Sequence, residues 1–153
     1  MNPVHVIAMA APNSVQFRSA GQSTAIPDIT PAIAAGMCAG MPETWYRAAC
    51  LKWAGDVSGA PALGRELLQY TSELAERENW RIPPDRDYVT RIVALAMAEV
   101  AEPGKWKFDI QRAKYLGIKR STFVMTWKPR YEMVYRKLEG WKVEAYGYIQ
   151  RNN

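Results

Sequence analysis

From Met41 onward the apolar residues recur at helical spacings, and proline or glycine cuts each run short before the next begins. The cuts fall at Gly55 with Ser58-Gly59, at Ile82-Pro83-Pro84, at Pro103-Gly104 and at Gly117. A residue before proline is driven out of the helical region, and glycine ends helices because it takes positive φ without a Cβ penalty. A chain punctuated in this way does not run as one rod from end to end. No stretch alternates apolar and polar residues for long enough to predict a strand, and no internal repeat is present. The pattern therefore predicts an all-α fold, a helical bundle.

The runs have individual characters. Pro42-Glu43 opens a helix carrying Trp45, Ala48, Ala49 and Trp53. Pro61 opens a second, whose broad apolar face is Leu63, Leu67, Leu68, Tyr70, Leu74 and Ala75 and which should fade near Asn79. Asp85 is the expected N-cap of a third, with Tyr88, Val89, Ile92, Val93, Leu95, Ala96, Met97 and Val100. That helix is apolar around much of its circumference, which predicts a place in the middle of the fold. Residues 1–41 read differently. They hold only Arg18 and Asp28 as charged groups and are rich in Ala, Ser, Pro and Gly. We expect a flexible arm there, with a short helix near residues 31–39. The expected organisation is thus an arm at 1–41, a helical body at 42–104 and a C-terminal part at 105–153.

Charge divides the chain along the same line. Residues 1–104 hold eight Lys and Arg against eleven Asp and Glu, net −3, whereas residues 105–153 hold twelve against four, net +8. A basic third on an acidic body predicts an anionic partner for that third.

Within the basic third, residues 112–127 read RAKYLGIKRSTFVMTW. Asp109 is expected to cap a short helix running to about Leu116. Gly117 then ends it, Ile118 drops into the core, and Ser121 and Thr122 suit the first turn of a new helix. Phe123 and Trp127 lie one turn apart on the face of Ile118, and the small Ala113 lets two helices cross closely. This is the grammar of a helix-turn-helix.

The order Ala-x-x-Leu-Gly-Ile-x-Arg-Ser-Thr-Phe-x-x-x-Trp resembles the helix-turn-helix of Fis-like and resolvase-like proteins and of many phage and bacterial regulators. Those usually read Ala-x-x-Leu-Gly-Ile-x-Arg-x-Thr-Leu-x-x-x-Leu. The likeness covers about fifteen residues, and Trp127 departs from it where Leu is usual. Pro129 is expected to end or bend the second helix early. The resemblance implies that the first turns of the second helix enter the major groove. Carried onto this chain, it implies DNA contacts by Lys119, Arg120 and Thr122, with Ser121, Val124 and Met125 beside them. Arg120 suits a bidentate bond to guanine, Thr122 or Ser121 a phosphate, and Val124 and Met125 an apolar contact to a thymine methyl. Lys114, Lys128 and Arg130 flank the unit and suit phosphate neutralisation.

After Pro129, Tyr131, Val134, Leu138, Trp141, Ala145 and Tyr148 follow at spacings of three and four. This heptad seam predicts a long C-terminal helix, packing either on the chain's own helices or across a homodimer. Arg136, Lys137 and Lys142 lie off the seam. The layout of residues 112–142 and the general size are similar to lambdoid phage antitermination Q proteins of the small, zinc-free type. That resemblance implies binding near a promoter and engagement of RNA polymerase so that terminators are read through, in a host bacterial cytoplasm. Two other readings fit a helix-turn-helix joined to helical segments, a phage terminase small subunit that marks DNA for packaging and a simple repressor.

Other chemistries find little footing. There is no glycine-rich phosphate loop, nucleophile elbow or ligand cluster, so no enzyme and no cofactor is expected. Glu73, Glu76, Glu78, Asp85 and Asp87 read as a solvated face or caps. Cys38, Cys50 and the single His5 are too few for a zinc site or a disulfide framework, which predicts a reducing, cytoplasmic compartment. No apolar run nears the ~20 residues that span a bilayer, and Val-Ile-Ala-Met-Ala-Ala near the start has no preceding basic residue and is short for a signal peptide.

Overall fold

Two short helices begin the chain with one device, a polar cap followed by proline. The computed structural model describes residues 2–11 and 30–152. In α1, Pro3–Ala10, the Asn2 side chain accepts the Val4 N–H at 3.0 Å, and in α2, Pro31–Cys38, the Thr30 hydroxyl accepts the Ile33 N–H at 3.2 Å. Proline at the first helical position gives up only an N–H that has no partner in the helix anyway. Five more helices follow: α3, Glu43–Ala49, continued by a π turn Cys50–Ala54; α4, Ala60–Arg77; α5, Tyr88–Ala101; α6, Asp109–Leu116; and α7, residues 120–151. The described residues contain no strand, so the fold is all-α.

The chain divides into two compact units. The first comprises Met1–Ala60 and Gly140–Asn153. In it α1 packs on α2 and on the π turn. Its core joins Val6, Ile7, Ala34, Met41, Ala49, Cys50 and Ala54 to Ala145 and Ile149 of α7. The expected flexible arm therefore holds two packed helices among its described residues, with Val6, Ile7 and Ala34 fully buried; residues 12–29 lie outside the described residues. Low charge was the clue to this packing, since a neutral Ala-rich segment loses little by leaving water. Cys38 and Cys50 are free thiols, and burial pushes their pKa values up to about 11 and about 12.

The second unit is Pro61–Glu139. Leu63, Leu67, Thr71, Leu74 and Ala75 form the buried stripe of α4. Asn79, in the left-handed region at φ 52°, closes that helix: its N–H reaches the Glu76 carbonyl and the Trp80 N–H reaches the Ala75 carbonyl. The cap of α5 is Asp87, not Asp85, because a turn from Pro83 to Arg86 delays the helix by two residues; Asp87 accepts the Thr90 N–H at 3.2 Å. As expected, α5 is buried on most of its surface, including Ile92, Leu95 and Ala96 at full burial. It packs on α6.

In α7, Arg120–Thr122 leads into a π turn, Phe123–Trp127, and then into Lys128–Arg151 without interruption. Pro129 neither ends the helix nor starts a new one. Proline in an α-helix removes a donor and presses its ring on the carbonyl four residues back. Here the Lys128 N–H reaches the Phe123 carbonyl five residues back, so the ladder is already widened where the ring arrives. The heptad seam is spent within the chain: Tyr131, Val134, Leu138 and Ala145 are buried, Trp141 is half-buried, and the Tyr148 hydroxyl donates to the Ala39 carbonyl at 2.7 Å.

Candidate nucleic-acid interface

The geometry of residues 109–127 turns on Gly117. It lies at φ 72°, ψ 31°, its N–H reaches the Lys114 carbonyl at 3.1 Å, and the Ile118 N–H reaches the Ala113 carbonyl at 3.0 Å. This pair of bonds is the left-handed helix stop that glycine adopts freely. From α5, Arg91 Nη1 donates to the Leu116 carbonyl at 3.2 Å and ties the same end down with a positive charge. Ala113 and Leu116 are fully buried, as are Phe123 and, nearly, Trp127 beyond the turn. The two helices are thus anchored by their apolar residues on either side of a sharp change of direction.

The start of α6 is built differently from the expectation. Asp109 is its first helical residue and not its cap; Gln111 Oε1 instead accepts the N–H groups of Lys107 and Phe108, at 2.9 and 3.0 Å. The Asp109 carboxylate is drawn away by cations, accepting Lys128 Nζ at 2.8 Å and Arg112 Nη1 at 3.3 Å. The Lys128 bond, with Arg112 and Arg120 adding to the field, holds its pKa below the usual carboxylate value.

At the leading end of α7, Lys119 is extended and offers the first turn no side-chain bond. The first inward backbone bond is from the Phe123 N–H to the Lys119 carbonyl, so the N–H groups of Arg120, Ser121 and Thr122 face outward from the helix end. The side chains of all four residues 119–122 are exposed. Such an end presents donors and a positive dipole to an anion. On the next turn Met125 is 82% exposed and Val124 37% exposed. Lys114 is exposed on α6.

The flanking cations divide. Lys128 remains partly exposed but is bonded to Asp109. Arg130 is taken up by the protein itself: its guanidinium lies 4.7 Å from the Trp127 ring and 5.3 Å from the Trp80 ring, and its Nη1 is enclosed. That arrangement explains tryptophan in place of leucine at 127. The indole fills a slot beside Tyr88, at 4.8 Å, and offers a face for a cation. Arg130, expected at a phosphate, here packs its guanidinium against two indoles.

Beneath the turn lies a buried polar network that the sequence reading passed over. Glu99 of α5, 8% exposed, accepts from Arg112 of α6 and from the Tyr131 hydroxyl of α7. Arg112 also donates to the Trp106 carbonyl at 2.8 Å. Burial, then the Glu99 carboxylate, raises the Tyr131 pKa, so its proton stays in the bond. One carboxylate thereby ties α5 to both arms of the helix-turn-helix. The available signal was a glutamate inside the apolar run Ala-Leu-Ala-Met-Ala-Glu-Val-Ala, which demands a partner when that face is buried.

Among the described residues no group of His, Cys, Asp and Glu is placed to hold a metal ion, and no helix is long and apolar enough to cross a membrane. No protein-family model, curated protein or solved structure matches the chain.

Proposed function

We propose that this chain is a sequence-specific DNA-binding regulator that lays the first turns of α7 in the major groove. The observation carrying the proposal is the exposed leading end of α7, with Lys119, Arg120, Ser121 and Thr122, set off from α6 by the left-handed Gly117. Arg120 is the reader of a guanine edge, the two hydroxyls hold phosphate, and Val124 and Met125 meet thymine methyls. Lys114 neutralises a phosphate from α6. Arg130 and the network of Glu99, Arg112 and Tyr131 do not touch DNA; they hold the reading helix in place.

The test is selection of bound duplexes from a random-sequence pool, followed by footprinting on a recovered site. Recovery of one shared motif is expected. A pool left unchanged by repeated selection overturns the proposal.

The resemblance of residues 112–142 to antitermination Q proteins narrows it further, to a phage factor that binds near a promoter and engages RNA polymerase so that terminators are read through. Transcription across a terminator with the purified protein added tests this part separately. Increased full-length transcript on a template bearing the selected site is expected, and an unchanged termination ratio removes the polymerase role while leaving DNA binding intact.

A further inference from the structure

A cluster of charge lies beside the reading end of α7. A cleft of about 530 Å3 is lined by Lys107, Arg112, Arg120 and Lys128, with Phe108 and Asp109 between them. Four cations and one carboxylate line it. Arg112 is committed inward, to Glu99 and to the Trp106 carbonyl. Lys128 holds Asp109 at 2.8 Å, Arg120 bears on the same carboxylate from further off, and Lys107 is exposed at the rim.

A carboxylate ringed by cations occupies the position and the charge of a phosphate. Both are anionic oxygen acceptors of charge-assisted hydrogen bonds. Resting on the DNA-binding reading of α7, we propose that this cleft seats one phosphodiester of the duplex backbone between Lys107 and Lys128, leaving the Arg120 guanidinium to its guanine. Asp109 fills the seat in the free protein as an internal counter-ion that the phosphate must displace. The carboxylate keeps Lys128 oriented when DNA is absent. It also lowers affinity, because the arriving phosphate takes a lysine already paired and meets a like charge beside it. Lys107, outside the motif resemblance, becomes a backbone contact.

The arrangement sets opposite signs for two substitutions. Each phosphate neutralised contributes roughly −0.9 to the slope of log affinity against log salt. Asp109→Asn frees Lys128 and is expected to bind a short mixed-sequence duplex several-fold tighter at low salt, with a slope steeper by roughly one. Lys107→Ala is expected to bind more weakly, with a slope shallower by roughly one and an unchanged melting temperature.

Fluorescence anisotropy across a salt series on the wild type and both full-length variants reads these outcomes. A folded Asp109→Asn protein with wild-type slope or weaker binding overturns the seat, as does an unaltered slope in Lys107→Ala. If Asp109→Asn does not fold, the Lys107→Ala slope alone decides. A rise in melting temperature with inorganic phosphate at constant ionic strength, without any change of DNA slope in the variants, assigns the cleft to a free anion and overturns the backbone seat. A wild-type protein that binds no duplex at low salt removes the reading of α7 and the seat with it. Wild-type binding with unresponsive variants removes the seat alone.

Discussion

At Gly117 a single Cβ carries two costs. The backbone at φ 72° is left-handed, which costs an L-residue roughly 1–2 kcal/mol, and the added carbon would lie 3.1 Å from Arg91 Nη1. The arginine end can swing aside, but doing so gives up its bond to the Leu116 carbonyl. We expect Gly117→Val to lose about 2 kcal/mol or more in urea denaturation, the branched side chain being poorly suited to that region. A fully stable variant would place the change of direction elsewhere. Glu99 gives a second residue-level expectation. Tyr131→Phe leaves one carboxylate oxygen without its donor and should cost about 1–3 kcal/mol. Arg112→Met, which strands a buried charge, should cost about 3–5 kcal/mol. Equal, small losses for both would show that water reaches Glu99 freely. Asp109 brings a pH dependence of defined sign. Its folded pKa lies below the unfolded value, so its contribution is present above about pH 4 and is lost as pH falls through the folded pKa. In acid titrations of stability, Asp109→Asn should lack that component; an identical acid limb in both proteins would contradict the Lys128 pairing.

Helix α7 shows how far local pattern carries. The spacing of Tyr131, Val134, Leu138 and Ala145 was legible as a buried stripe because burial along a helix repeats with its turn. The turn at Gly117 was legible because few residues but glycine sit comfortably there. What the stripe packs against was not legible, since periodicity names a face and not its partner. Nor was the continuity through Pro129, because a π turn has no sequence spacing of its own and depends on how Phe123 and Trp127 are seated. Helix α1, and the packing of α2, were missed for a related reason. Segments rich in alanine have weak periodicity, and their burial depends on residues more than a hundred positions away, such as Ala145 and Ile149. This predicts an outcome for the chain ended after Glu139. Stripped of two fully buried side chains and of the Tyr148 bond to Ala39, the first unit should lose its packing. Hydrogen exchange should then become fast in α1 while α5 stays protected. Continued protection of α1 would mean its core closes without α7.

Taken as a whole molecule, the chain spends its apolar seam internally and keeps its charge asymmetry outside. A seam within one chain makes unfolding independent of protein concentration. Leu138→Asp, at a fully buried position, should therefore lower the denaturation midpoint equally in dilute and concentrated samples. A wild-type midpoint that rises with concentration would assign the seam to a dimer. The basic surplus of residues 105–153 should make DNA affinity fall steeply with salt. Steep salt dependence alone, however, accompanies any basic surface, and discrimination between sequences is the property that singles out a reading helix.

The most direct test of the account is therefore the affinity of Arg120→Ala and wild type, at one salt concentration, for a selected duplex and for a scrambled one of the same composition. The substitution is expected to weaken binding to the selected duplex by about 1–3 kcal/mol and to reduce affinity for the scrambled duplex far less. Equal affinity of both proteins for the selected duplex, with both folded, would contradict it.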